Sequence, residues 1–228
     1  RAILDSFEQM RLEIRSIGQE MAGSLRVATI YSVGIYEMSV VTKTFLKIYP
    51  NVSLHVEYSK GTRVYEDCLN GAIDLGIVTY PEPRKGLRII SLPADKLVLI
   101  CAPDHPFARQ RHISLSKLNG QNYVAFEKDT ASQRALDRIF RENNIQVRVV
   151  MEFDNIETIK RSVEIGAGVS IVPLPSVQKE VQSGSLVQIQ FMEKNFYRPL
   201  GIIVRSRQKL SPAAKKFIEL MQNPQKGS

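Results

Sequence analysis

Polar and apolar side chains alternate over residues 52–58, where Val52, Leu54, Val56 and Tyr58 share one side, the two-residue period of a strand with one buried face. Short, largely apolar runs at 25–30, 73–78, 97–102, 123–126, 147–153, 169–172, 186–190 and 200–204 predict further strands. Helical spacing lies between them. Residues 33–49 form one helix stopped by Pro50, and 61–69 another that ends at the Gly71 turn. Residues 130–143 form a third with Leu136, Ile139 and Phe140 inward, and Ser211-Pro212 opens a last one, proline being favourable in a first turn. Strand and helix alternating at this pace predict an α/β fold, with a parallel sheet covered by helices on both faces, and the grammar occurs twice.

A different period governs the opening residues. Ile3, Phe7, Met10, Ile14, Ile17 and Met21 recur at spacings of four and three, the a/d register of about three heptads. A helix of this kind needs a partner: a second chain, or the body of its own domain.

The densest stretch is 152–173. Asp154 or Asn155 can cap a helix in which Ile159 and Val163 fall on one face, Gly166 and Gly168 permit a tight exit, and Pro173 stops the following strand. Read in order with Gly23-Ser24-Leu25-Arg26-Val27-Ala28, Gly71-Ala72-Ile73-Asp74-Leu75-Gly76 and Pro103-Asp104-His105-Pro106-Phe107, this stretch resembles the effector-binding domain of LysR-type transcriptional regulators, over residues 1 to 222. The resemblance implies two Rossmann-like subdomains joined by two crossover strands, of the periplasmic-binding-protein type, preceded by a helical linker. It places the linker at 1–23, subdomain I at 24–100 plus 198–228, and subdomain II at 101–197.

Composition narrows the class without naming a chemistry. The 228 residues are 43% hydrophobic and 24% charged, ordinary for a globular protein, and no apolar run approaches the ~18 residues that span a bilayer. A cytoplasmic setting is expected, because Cys68 and Cys101 stand apart without metal-ligand spacing and read as small buried hydrophobes rather than a redox pair. The net charge is +8, and eight basic residues from Lys194 onward face only Glu219. That cluster lacks interleaved aromatics, so a solvated face is expected in place of a DNA-reading surface.

Candidate chemistry collects where strands give way to helices, since a helix N-terminus offers unpaired N–H groups and a positive dipole end. Hydroxyls recur there: Ser32 and Val33 after the first strand, Gly61, Thr62 and Arg63 after the second, Thr79 at the exit of the third, and Thr130 and Ser132 before the 130–143 helix. Asn155 and Gly168 complete the set. The resemblance implies that Ser32 and Thr62 hold an effector, with Thr130, Ser132 and Asn155 on the facing subdomain of a cleft. Each of these residue types is also an ordinary helix cap, and Arg63 and Arg134 are also ordinary surface arginines.

An enzyme is not expected. His55, His105 and His112 have no nucleophile or metal-spaced partner beside them, and no phosphate loop or hydrolase motif occurs, so catalytic residues, metal and cofactor are all predicted to be none. The expected function is that of the resemblance: sensing a small anionic metabolite, self-association as a dimer and as a tetramer at full length, and control of promoter DNA through an N-terminal winged helix-turn-helix outside this sequence. A solute-binding protein of a transport system shares the fold and is the rival reading, against which the amphipathic opening argues.

Overall fold

The structure, a computed structural model, describes residues 21–223. The heptad pattern and nearly all of the 1–23 linker helix lie outside the described residues. Two compact units divide the chain, one of residues 21–93 and 200–223, the other of Ala94–Pro199.

The first unit is built on β1 (Gly23–Thr29), β2 (Val52–Tyr58) and β3 (Leu75–Thr79), parallel in the order β2-β1-β3. The register places Thr29 beside both Tyr58 and Ile77, so the carboxyl ends of the three strands form one rim. Leu25, Val27, Leu75 and Ile77 face α2 (Glu37–Ile48), which buries Met38, Val41 and Phe45 against them. On the opposite face Ala28 and Val78 pack against Val64, Tyr65 and Cys68 of α3 (Gly61–Asn70). Each large apolar side chain buried here contributes about 1.5–3 kcal/mol.

The expected single helix over 33–49 is two. The segment α1 (Tyr31–Ile35) ends at Tyr36, which caps α2 in its place. Apolar periodicity runs through the break unchanged, so only the backbone reveals it. Helix α3 ends as the glycine predicts: Gly71 adopts φ 74° and its N–H bonds the carbonyls of Asp67 and Cys68.

Strand β4 (Leu87–Cys101) is fifteen residues long, not the six expected at 97–102, because both units use it. Residues 87–96 mix Arg88, Ser91, Pro93, Asp95 and Lys96 with apolar positions, which hid the strand from a search for apolar runs.

In the second unit β6 (Asn122–Phe126) pairs in parallel with β7 (Arg148–Phe153), and Tyr123 bridges to Val169 just before β8 (Ser170–Pro173). Strand β8 runs antiparallel to β4, which is followed by β9 (Val187–Phe191) and the two-residue β5 (His112–Ile113). Helix α4 (Ala131–Glu142) buries Leu136 and Phe140, and Tyr123 meets Phe140 edge-on at 5.4 Å. Helix α5 (Ile156–Glu164) buries Ile156, Ile159 and Val163, as its spacing predicts. A short α6 (Gln178–Ser183) precedes β9.

Strand β10 (Tyr197–Arg205) returns the chain to the first unit, where Leu200 to Ile203 run antiparallel to β3. Helix α7 (Pro212–Gln222) closes that unit, with Phe217 edge-on to Phe45 at 5.2 Å. The basic cluster expected as a solvated face is not uniform: Arg198 is buried against Asp95, and Lys216 pairs with Glu219. Both cysteines are buried, and burial pushes each thiol up to about 11, which suits inert core positions. Among the described residues no helix is long and apolar enough to cross a membrane, and no group of three or more His, Cys, Asp or Glu could hold a metal ion.

Candidate functional site

Helices α1 and α3 of the first unit and helices α4 and α5 of the second begin in opposite ways. In the first unit α3 begins after Lys60, whose side chain makes no capping bond, and no acidic residue stands in the first turn. Arg63 and Val64 both donate their N–H to the Lys60 carbonyl, at 3.0 and 3.2 Å, while the Gly61 and Thr62 amides have no such acceptor. The Thr62 side chain is exposed and its hydroxyl makes no hydrogen bond. A β-carbon at Gly61 would meet Ile30 at an ordinary 3.9 Å, so the glycine keeps this turn open without being sterically required.

Helix α1 is likewise uncapped by any side chain: Ile30 occupies its N-cap, and its first turn carries no acid. Ser32 is half-buried in that turn. Val33 is wholly buried in the apolar core, so only its backbone amide could meet a ligand. Thr79, 6% exposed at the end of β3, forms no side-chain hydrogen bond, and Tyr80 beside it adopts φ 47°, a strained value for a bulky residue.

Arg63 is already engaged. Its Nε donates to the buried Asp67 carboxylate at 3.0 Å and an Nη lies 3.8 Å from Glu66, though the guanidinium stays 63% exposed. Its charge stands near the open N-terminus of α3, but its direction is set by Asp67.

In the second unit the side chains do cap. The Thr130 hydroxyl accepts from the Gln133 amide at 3.1 Å and donates to the Glu127 carbonyl at 2.8 Å, which uses its single proton. Asn155 Oδ1 accepts from the Glu157 amide at 2.8 Å, leaving its Nδ2 as the group able to meet a ligand. Glu157 itself sits in the first turn of α5 and repels a second anion there. Ser132 is half-buried and its hydroxyl is unbonded. A β-carbon at Gly168 would fall 2.5 Å from the Asn122 carbonyl, so this glycine serves the approach of residues 168–169 to β6. Arg134 donates to the Asp129 carbonyl at 2.7 Å, closing the loop ahead of its own helix.

The sequence reading passed over two features. Tyr31 and Tyr58, each about two-fifths exposed, lie with ring centroids 5.6 Å apart at the ends of β1 and β2. The signal available was Gly34: a β-carbon there would sit 2.4 Å from the Tyr58 ring. Lys160, 3% exposed, is the other. Its Nζ bonds Glu180 at 2.8 Å, the Ser176 carbonyl at 2.9 Å and Glu157 at 3.0 Å, fixing α5 to α6 and to the segment just before it. Its place in the helical pattern carries no sign of this burial.

Helix starts of this kind, in the first unit above all, offer hydrogen-bond donors that suit the binding of an acidic group. A model of the LysR substrate binding domain matches residues 18–225. The RuBisCO operon transcriptional regulator of Allochromatium vinosum is 26% identical over 97% of this chain and 73% of its own length. The regulatory domain of CcmR from Synechocystis PCC6803, in complex with 2-PG, superposes with a TM-score of 0.79 at 23% identity, covering 88% of this chain and 96% of that one. The effector-binding domain of QuiR in complex with shikimate gives 0.79 at 21% identity, covering 90% and 98%. At these identities the two solved structures establish the fold.

Proposed function

The chain belongs to the LysR substrate-binding domain family, and from that premise we propose that it is the ligand-sensing and oligomerising part of a transcriptional regulator whose ligand is a small anion. The observation that carries the anionic reading is the open first turn of α3, where the Gly61 and Thr62 amides and the Thr62 hydroxyl stand without a side-chain cap and with no acid in the turn itself. Such a turn holds a partial positive charge of about half an electron, which favours a carboxylate or phosphate.

Ser32, Val33 through its amide, Gly61, Thr62, Arg63 and Thr79 are the ligand contacts proposed in the first unit. Thr130, Ser132, Asn155 and Gly168 are those proposed in the second. Within the second set Ser132 and the Asn155 amide nitrogen are the stronger members, since the Thr130 hydroxyl proton is spent on Glu127. The ligand named in one of the two similar structures, shikimate, is a carboxylate, which is in keeping with this reading.

Regulation follows if the ligand binds one arrangement of the protein more tightly than another, because it shifts an equilibrium only by that difference. The proposed output is a change in how a dimer, or a tetramer at full length, engages promoter DNA through an N-terminal winged helix-turn-helix. A cytoplasmic location goes with that role.

A thermal-shift screen of small carboxylates, phosphates and sulfates tests the proposal. A ligand present at one hundred times its Kd stabilises by about 2.7 kcal/mol. Thr62→Ala and Ser32→Ala are expected to reduce the shift given by the best anion at fixed concentration. Equal shifts in both variants and the parent would remove these residues from the site.

A further inference from the structure

Two basic runs that lie far apart in sequence meet at one end of the first unit. One is Arg84-Lys85-Gly86-Leu87-Arg88, where β4 begins, and the other is Arg205-Ser206-Arg207-Gln208-Lys209, where β10 ends. Strands β4 and β10 are neighbours in the sheet, and the Ser206 amide donates to the Gly86 carbonyl at 2.8 Å, so the runs lie side by side. Together they hold six cations, and Glu82 is the one acid within two residues of either run. Arg205 is half-buried and the other five are exposed. Lys85, Arg88, Arg205 and Arg207 make no ion pair among the described residues.

Two of the six are held in place. The Arg84 guanidinium lies 3.9 Å over the Tyr65 ring, whose hydroxyl accepts from the Glu82 amide at 2.8 Å. Arg205 lies against Gly71, where a β-carbon would collide with its Nη1, and so also meets the negative end of α3. The remaining cations have no such packing role. Like charges crowded in this way repel one another, and a polyanion relieves that repulsion. The exposed positions of both runs are polar, charged or glycine, without the apolar and aromatic anchors on which protein interfaces depend. Phosphates of duplex DNA ask only for cations, whereas aromatics serve unstacked single strands.

The position fits that partner. Ile203 pairs with Gly76, so Arg205 continues toward the amino end of β3, away from the rim at which Thr29 and Tyr58 end their strands. Strand β1 begins with Gly23 at this same end, so a segment preceding it joins the unit on the basic side. We propose that this end of the first unit is a sequence-independent contact for the phosphate backbone of duplex DNA, separate from the anion site at the opposite rim. The inference goes beyond ligand sensing, and rests on the reading of the chain as part of a transcriptional regulator.

Fluorescence anisotropy of a labelled duplex of arbitrary sequence, about 30 base pairs long, tests it with the whole chain over a salt series. Each phosphate neutralised contributes about −0.9 to the slope of log affinity against log salt, so the parent is expected to bind at about 20 mM salt with a slope steeper than about −3. Lys85→Gln/Arg88→Gln/Arg207→Gln spares the two packed arginines. It is expected to weaken binding at least about tenfold at that salt and to flatten the slope by about 2 to 3. Arg138→Gln/Arg141→Gln/Arg148→Gln removes the same charge from exposed positions of the second unit, and should leave affinity and slope near the parent values. No binding by the parent at low salt, or equal losses in the two triple variants, would overturn the proposal. Poly-glutamate that competes as well as unlabelled duplex at equal charge would also overturn it, by assigning the surface to an acidic protein. Because the thermal shift given by small anions reports on the opposite rim, failure of this inference is distinguishable from failure of the ligand-sensing reading.

Discussion

Thr62 and Thr130 stand at equivalent junctions, each just after a strand and at the start of an amphipathic helix, and they do opposite things. Thr130 occupies the N-cap, so its hydroxyl closes the first turn of α4. Thr62 is the second residue inside α3; the N-cap before it is Lys60, and the turn stays open. Helices α4 and α5 of the second unit have side-chain caps, and α5 adds the negative charge of Glu157, whereas α3 of the first unit is uncapped, with only cations in its first turn or at its cap. A helix start that leaves its donors unmet forgoes about 1 kcal/mol available from a cap, and a site that forgoes stability is a place to look for a ligand.

Six substitutions, the last read against pH, probe this contrast and the packing around it. Lys160→Met removes the cation that anchors α5 and strands the nearly buried Glu180 carboxylate, so it is expected to cost about 3 kcal/mol by urea denaturation. A loss under about 1 kcal/mol would show that α5 is not held as described. Next in size, Thr130→Ala and Asn155→Ala are each expected to destabilise by about 1 kcal/mol as lost caps. Thr62→Ala should stay within about 0.5 kcal/mol of the parent without ligand, and an equal loss at 62 and 130 would erase the contrast.

Lys60→Asp runs the comparison in reverse by supplying the missing cap. It is expected to raise stability by several tenths of a kcal/mol, up to about 1, while weakening the anion-induced thermal shift. The smallest effect concerns His105 in the second unit, whose imidazole pKa is lowered by burial, against the opposing pull of Asp104. Its Nδ1 accepts the Phe107 amide at 3.1 Å, which requires the unprotonated nitrogen. A depressed histidine pKa means the folded state binds fewer protons than the unfolded one, so stability fully present above the ordinary value of 6.5 is lost as pH falls from there through the lower folded-state value. His105→Asn should flatten that part of the Tm-against-pH curve.

Much of this arrangement was legible in the residues. The alternation over 52–58 gave β2, the 152–173 stretch gave β7 into α5 into β8, and Asn155 was a named cap for α5. The identity of a cap is harder to read than its presence, because it depends on a single position. Thr62 and Thr130 differ by two steps of register relative to their helices, and helix boundaries inferred from sequence shift by more than that. Strand β4 was half-hidden for a separate reason, since its first part borrows burial from one unit and its second part from the other. The buried Lys160 and Arg198 were invisible because a charged residue in an amphipathic pattern ordinarily marks the solvent side, and only the placement of Glu180 and Asp95 reverses that.

The most direct test of the open turn is an amide-resolved NMR titration with inorganic phosphate in the 228-residue protein. The account predicts saturable shifts at the Gly61 and Thr62 amides, with those of Gln133 and Glu157, already bonded to Thr130 and Asn155, remaining in place. Unmoved Gly61 and Thr62 amides at saturating phosphate, or equal shifts at all four amides, would contradict it.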